Sequence, residues 1–157
     1  MSEPGKIDRS YIRVKAFAVS LNEAGTHHVV LRGIDPAVPD EYFHLLLGGS
    51  IELGERSEVA VLREIREELG ATLLEPRLLQ VVENVFEYDG ELGHEVVFLE
   101  AGHLAEAGVV PLEGGEFYDN GLPMWVEWRP VDDAELTAPI YPEEVTQLLA
   151  LGAAGRT

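Results

Sequence analysis

Residues 57–69, SEVAVLREIREEL, admit one kind of element. Leu62, Ile65 and Leu69 recur at spacings of three and four, the period of a helix with one apolar stripe. Such a helix needs another surface to cover its stripe. Ser57 is placed to cap it, Glu58 suits its first turn, and Gly70 is a natural stop. The same periodicity brings Glu64, Glu67 and Glu68 onto one face. Like charges at these spacings cost a few tenths of a kcal/mol per pair, roughly. A solvated face tolerates that cost when Arg63 and Arg66 compensate. A site for a hard divalent cation uses it, because Mg²⁺ takes carboxylate oxygens and bridges to phosphates.

Strand patterns surround this helix. Tyr11 to Ser20 alternates, Asn22 to Gly25 turns, and His27 to Arg32 returns. A loop with Pro36 and Pro39 leads to a short apolar strand, Tyr42 to Leu47, which feeds Gly48 and Gly49. After the helix, Leu78 to Tyr88 reads as a strand, Asp89-Gly90 as its turn, and His94 to Glu100 as its partner. Leu104 to Leu122 reads as a long acidic, Gly-rich loop. Met124 to Trp128 is another strand, and Pro142 to Leu151 a closing helix with proline at its start. The order of strands, helix, strands and helix predicts an α/β (α+β) fold, a mixed sheet between helices. With 157 residues and no linker or repeat, a single domain over 1–157 is expected.

Composition narrows the function. The net charge of −18 disfavours a nucleic-acid polymer as partner, since such a surface repels phosphate backbones. It allows a small anionic substrate if a cation neutralises the site. Cysteine is absent, which removes disulfides and thiol chemistry. No apolar run approaches the length of a membrane span, and MSEPGKIDRS lacks the features of a secretory signal. A cytoplasmic protein without a membrane partner is the expectation.

The full spacing of the acidic segment carries more than its helix. From Gly49, five residues lead to Glu55; seven more lead to Arg63-Glu64-Ile65, then Glu67-Glu68, then Gly70. This resembles the Nudix box, the signature of the Nudix hydrolase superfamily (MutT-like), written G-x5-E-x7-R-E-U-x-E-E-x-G-U with U aliphatic. Ala71 departs from the usual Ile, Leu or Val, at a position that packs rather than reacts. With this chain's own Gly, Glu and Arg frequencies, the seven fixed identities arise by chance on the order of once in 10⁵ such chains. That rarity outweighs the reading of a mere salt-bridged surface helix. MWVEWRPVDDAEL and IYPEEVTQLL are similar to the family more weakly.

The resemblance implies an α/β/α sandwich and Mg²⁺- or Mn²⁺-dependent hydrolysis of a phosphoanhydride. The substrate class is a nucleoside diphosphate linked to another group, or a nucleoside triphosphate. It implies Glu64, Glu67 and Glu68 as metal ligands, with the Gly48 carbonyl. Arg63 would orient the carboxylates, and Glu55 would support the loop or bind a further metal. Glu95 is a further metal-ligand candidate. The general base lies among Glu64, Glu67 and the loop residues Glu113 and Glu116. A base-stacking ring is sought among Phe86, Tyr88, Phe117 and Tyr118. His94 could touch a phosphate, though structural or surface roles suit all five histidines. A homodimer is a further expectation. The alternative is a Nudix-like domain that senses a nucleotide or metabolite without cleaving it.

Overall fold

A computed structural model of the chain describes residues 8–132 and 138–154. The start of the chain, read above for a leader, lies largely outside them, as does part of MWVEWRPVDDAEL. Nine strands and two α-helices occur among the described residues. They are β1 (Arg13–Leu21), β2 (His27–Gly33), β3 (Phe43–Leu45), β4 (Leu47–Ser50), α1 (Ser57–Leu69), β5 (Leu73–Tyr88), β6 (Glu91–Leu104), β7 (Gly115–Asp119), β8 (Leu122–Pro130), β9 (Ile140–Tyr141) and α2 (Glu144–Ala154).

Strand β1 is the hub. It pairs in parallel with β6 along its whole length, and antiparallel with β4 and β2. The β1–β2 pairing is confined to Leu21 and His28, so the sheet splits beside β4. Strand β2 then carries β3 on one side and β8 on the other. The long β5–β6 hairpin forms the opposite wing, with two register shifts near its start. Alternation along each strand divides the core between the sheet faces. Ala16, Ala18, Val29 and Leu47 pack with Val61, Ile65 and Leu69 of α1. Val19, Leu21, Val30, Val97 and Leu99 pack with Val145 of α2 and with Leu148 and Leu149. The sheet therefore lies between the helices, the mixed α/β arrangement the element order predicts.

Several local expectations change. The buried stripe of α1 is Val61, Ile65, Glu68 and Leu69, while Leu62 is 37% exposed. The helix is rotated so that an acid, not a leucine, turns inward. Ser57 forms no side-chain cap; Arg56 holds the N-cap position, and Ser57 Oγ instead donates to Glu100 Oε1 at 2.6 Å. The Tyr42–Leu47 strand is two short strands, β3 and β4, with separate partners. β5 starts at Leu73 rather than Leu78, and β6 extends beyond His94–Glu100 at both ends. The Leu104–Leu122 loop contains a 3₁₀ turn and strand β7, which forms a hairpin with β8. Helix α2 begins at Glu144, so Pro142 precedes it instead of opening it.

Glu100 is fully buried on the α1 side of β6, and its Oε2 has no hydrogen-bond partner among the described residues. The Ser57 hydroxyl therefore satisfies half of a buried carboxyl and ties the start of α1 to the sheet. Replacing it strands a polar group. Ser57→Ala is expected to lower stability by about 1–3 kcal/mol in urea unfolding, with an unchanged m value.

Candidate active site

The site is built where α1 crosses β4. Gly49 lies opposite Ala16 of β1, on the face that α1 covers. The Glu64 carboxylate fills the place where a Gly49 side chain would stand; a Cβ there would overlap Glu64 Oε1. Gly48 has φ +151°, and a Cβ there would overlap the Ala16 carbonyl oxygen. The glycine pair is thus required twice over, once by the strand and once by the acid on the helix.

Glu68 sits one turn after Glu64 and is 5% exposed. The loss of water around it pushes its carboxyl up to about 9; a hydrogen bond to Glu64, the Glu64 charge and Asp119 act in the same sense, while the Gly48 amide opposes them. Burial and these neighbours favour the protonated form of Glu68 until a cation is present. Among the described residues Glu68 makes no ion pair, whereas Glu64 accepts from Arg63 Nη1 at 2.8 Å.

Arg63 is the strut of the site. Its Nε and Nη2 grip both oxygens of Glu55 at 2.9 and 3.0 Å, and Nη2 also donates to the Ser50 carbonyl at 3.1 Å. These bonds hold Glu55 below the usual carboxylate range, and Glu55 in turn raises the guanidinium further. Glu55 also accepts from the Glu52 amide at 3.1 Å, which closes the loop between β4 and α1. A lysine cannot reproduce this fork. Arg63→Lys is expected to cut turnover at least tenfold with a melting midpoint close to the parent's, in paired kinetic and thermal measurements.

The other sequence-derived residues divide clearly. Glu67 is at the rim, its side chain 57% exposed and 3.4 Å from Arg63 Nη1. Only two of the three helix carboxylates therefore pack together, and among the described residues no three acidic or imidazole groups form a ready metal cage. Glu95 is on the sheet face opposite α1, in a buried ion pair with Arg13 at 3.1 Å. Glu113 is exposed in the turn before β7, and Glu116 is exposed on β7, accepting from the Tyr118 hydroxyl. Phe117 packs towards the α1 side of the core, and Tyr118 is exposed. Phe86 lies over Gly93, and Tyr88 donates to the Ile34 carbonyl at 3.2 Å.

Two residues the sequence reading did not single out belong to this neighbourhood. Asp119, at the end of β7, reaches Glu68 with its charge. Lys15 of β1, held below its ordinary range by burial and by Arg13, feels the opposing pull of Glu95, Glu64 and Glu68. The Asn120-Gly121 turn after Asp119 was a sequence signal for its position; Lys15 had none beyond its place on an apolar strand.

The sheet lies between helices, with Glu64 and Glu68 adjacent on one of them and the glycines of β4 beneath. A model of the NUDIX domain matches residues 12–149, and the chain belongs to that family. Residues 48–71 lie inside this match, so the box spacing and the whole-domain pattern agree. The chain is similar to the MutT NUDIX hydrolase from Burkholderia pseudomallei, with 25% identity and a TM-score of 0.62 over 90% of this chain and 98% of that one. It shares its fold with the MutT protein from Methanosarcina mazei Go1, at 15% identity and TM-score 0.61 over 93% and 96% of the two chains. A NUDIX hydrolase from Nitrosomonas europaea gives 18% identity and TM-score 0.61 over 93% and 91%. No curated protein matches the chain. The protein is a hydrolase acting on pyrophosphate bonds, in a family that uses divalent metal ions and small nucleotide-type substrates.

Proposed function

We propose that the protein uses Mg²⁺ or Mn²⁺ to hydrolyse a phosphoanhydride in a nucleoside diphosphate-linked or nucleoside triphosphate substrate. The observation that carries this reading is the Glu64–Glu68 pair, of which Glu68 is buried and, among the described residues, has no cationic side chain at ion-pair distance. Oxygen donors of this kind, beside a backbone that a glycine leaves open, fit a hard divalent ion. Glu64, Glu68 and the Gly48 carbonyl would hold it, with Glu67 at the rim. Such an ion neutralises phosphoryl oxygens and makes a bound water acidic enough to attack.

The chain's own residues supply the rest. Arg63 fixes the Glu64 carboxylate and pins the β4–α1 loop through Glu55. Glu68 is buried beside the Gly48 amide, so the carboxylate formed when its proton leaves would face an ion rather than solvent. Glu67 and Asp119 stand outside this pair and would join Glu64, Glu113 and Glu116 as candidates to accept the proton of the attacking water. A pH–rate profile of Glu67→Gln and of Asp119→Asn separates these two, because loss of the base removes the acidic limb.

The test is a panel of nucleoside triphosphates, nucleotide sugars, ADP-ribose and dinucleoside polyphosphates, each with Mg²⁺, with Mn²⁺ and with chelator. Cleavage of one class that chelation abolishes supports the reading. An intact panel with metal present overturns it and leaves a sensing domain.

A further inference from the structure

Strand β1 turns two basic residues away from α1. Ala16 and Ala18 face that helix, so Arg13 and Lys15 lie on the other face. Register fixes their neighbours. Arg13 pairs with Glu95 and Lys15 with Val97 on β6; Glu95 is opposite Asn84, and Gly93 opposite Phe86, on β5. Arg13, Lys15, Asn84, Phe86 and Glu95 therefore share one surface of the sheet. The tip of the β5–β6 hairpin closes one side of it. Tyr88 donates to the Ile34 carbonyl at 3.2 Å, the Asp89 amide donates to Asp35 Oδ1 at 3.0 Å, and Arg9 covers the Tyr88 ring at 5.1 Å.

The two cations differ in what they have to do. Arg13 is committed to Glu95. Lys15 is half-buried, yet among the described residues it makes no hydrogen bond and no carboxylate reaches ion-pair distance. A lysine that gives up water and rotamer freedom without a partner is costly unless a ligand supplies one. The charges of Glu95, Glu64 and Glu68 all act on Lys15 from its position on the Phe86 face of the sheet. Its backbone lies opposite Ser50, one residue beyond the Gly49 that receives Glu64.

We propose that Lys15 anchors the substrate, its Nζ donating to a non-bridging phosphoryl oxygen of the diphosphate on the surface that Phe86 and Tyr88 border. This rests on the hydrolase reading above and adds to it a residue outside the box. Lys15 is a compact, strongly hydrated charge on a flexible stem, suited to a phosphoryl oxygen that moves during cleavage. Its position also orients the substrate, placing the diphosphate over the edge of β4 and the remaining group towards Phe86.

The probe is methylenediphosphonate, the P–C–P analogue of pyrophosphate, titrated calorimetrically with Mg²⁺ present. Lys15→Met is expected to weaken its binding about 10- to 100-fold, the scale of one charge-assisted hydrogen bond. With a cleavable substrate, KM rises by the same factor, while kcat and the half-activating Mg²⁺ concentration stay within a few fold. Lys15→Arg recovers part of the binding. A Lys15→Met protein that melts like the parent and binds the probe equally well overturns the proposal. So does a fall in half-activating Mg²⁺ with KM unchanged, which would make the ammonium a stand-in counter-ion for the glutamates. Binding is read without turnover, so the two readings fail separately. A parent that binds the probe through Lys15 but cleaves nothing keeps the anchor and loses the hydrolase.

Discussion

Glu68→Gln is expected to reduce hydrolysis by about 10²- to 10³-fold or more while making the metal-free protein more stable at alkaline pH. The two effects have one cause. Glu68 is buried beside Glu64 and within reach of Asp119, so its charge is unwelcome until a cation arrives. Glutamine keeps the shape of the protonated acid and can still bond to Glu64, but it never becomes an anion. The ground state without metal is therefore preserved, and the ligand is lost.

The pH dependence follows with a definite sign. In the folded chain the Glu68 carboxyl keeps its proton up to about pH 9, against 4.5 for the free group. Between these values the folded state binds more protons than the unfolded state, so stability falls as pH rises. One such group contributes at most about 1.4 kcal/mol per pH unit. In chelator, the melting midpoint of the parent should decline from pH 5 to pH 9 more steeply than that of Glu68→Gln. The two proteins should coincide at about pH 4 and diverge steadily from about pH 5 up to about pH 9. Saturating Mg²⁺ should raise the parent by mass action and leave the variant nearly unmoved. Parallel pH slopes for the two proteins would remove Glu68 from this account.

The same residue marks how far the sequence could be read. Spacing placed Glu64, Glu67 and Glu68 on one face, and a helix does put them there. It does not set how that face is rotated. Leu62 looked like the better core residue by hydropathy alone, yet Val61 and Glu68 turn inward and Leu62 faces out. The deciding factor is tertiary: the missing side chain of Gly49 leaves a slot that Glu64 fills, and Glu68, one turn on, comes to the Gly48 amide. Ser57 shows the same limit, since a capping residue by type found a buried carboxyl on β6 instead. The hairpin of β7 and β8 was within reach. Asn120-Gly121, both at positive φ, is a strong two-residue turn signal flanked by alternating residues. Reading Leu104–Leu122 as loop passed over it, and with it the position of Asp119. Lys15 and Phe86 came to one surface only through the parallel pairing of β1 with β6, a contact across about eighty residues that no local pattern encodes.

Gly48→Ala and Gly49→Ala should separate folding from chemistry at neighbouring positions. At Gly48 the added carbon meets backbone, the Ala16 carbonyl, and φ is +151°. Neither the strand nor the dihedral can yield without breaking the β1–β4 ladder. A cost of about 3 kcal/mol or more is expected from overlap and strain together. At Gly49 the added carbon meets the far end of the Glu64 side chain, which can rotate away. Folding should then be nearly unaffected, because the displaced carboxylate moves towards water. Turnover should fall by one to two orders of magnitude, roughly, since an ångström of misplacement in a catalytic group has that effect. Urea unfolding beside steady-state kinetics distinguishes the cases: a lower midpoint for Gly48→Ala, and a lower kcat at a near-parental midpoint for Gly49→Ala. Equal destabilisation by both would mean that Glu64 is locked in place by its bond to Arg63, and the slot beneath it would be a packing feature of the strand rather than a seat for the acid.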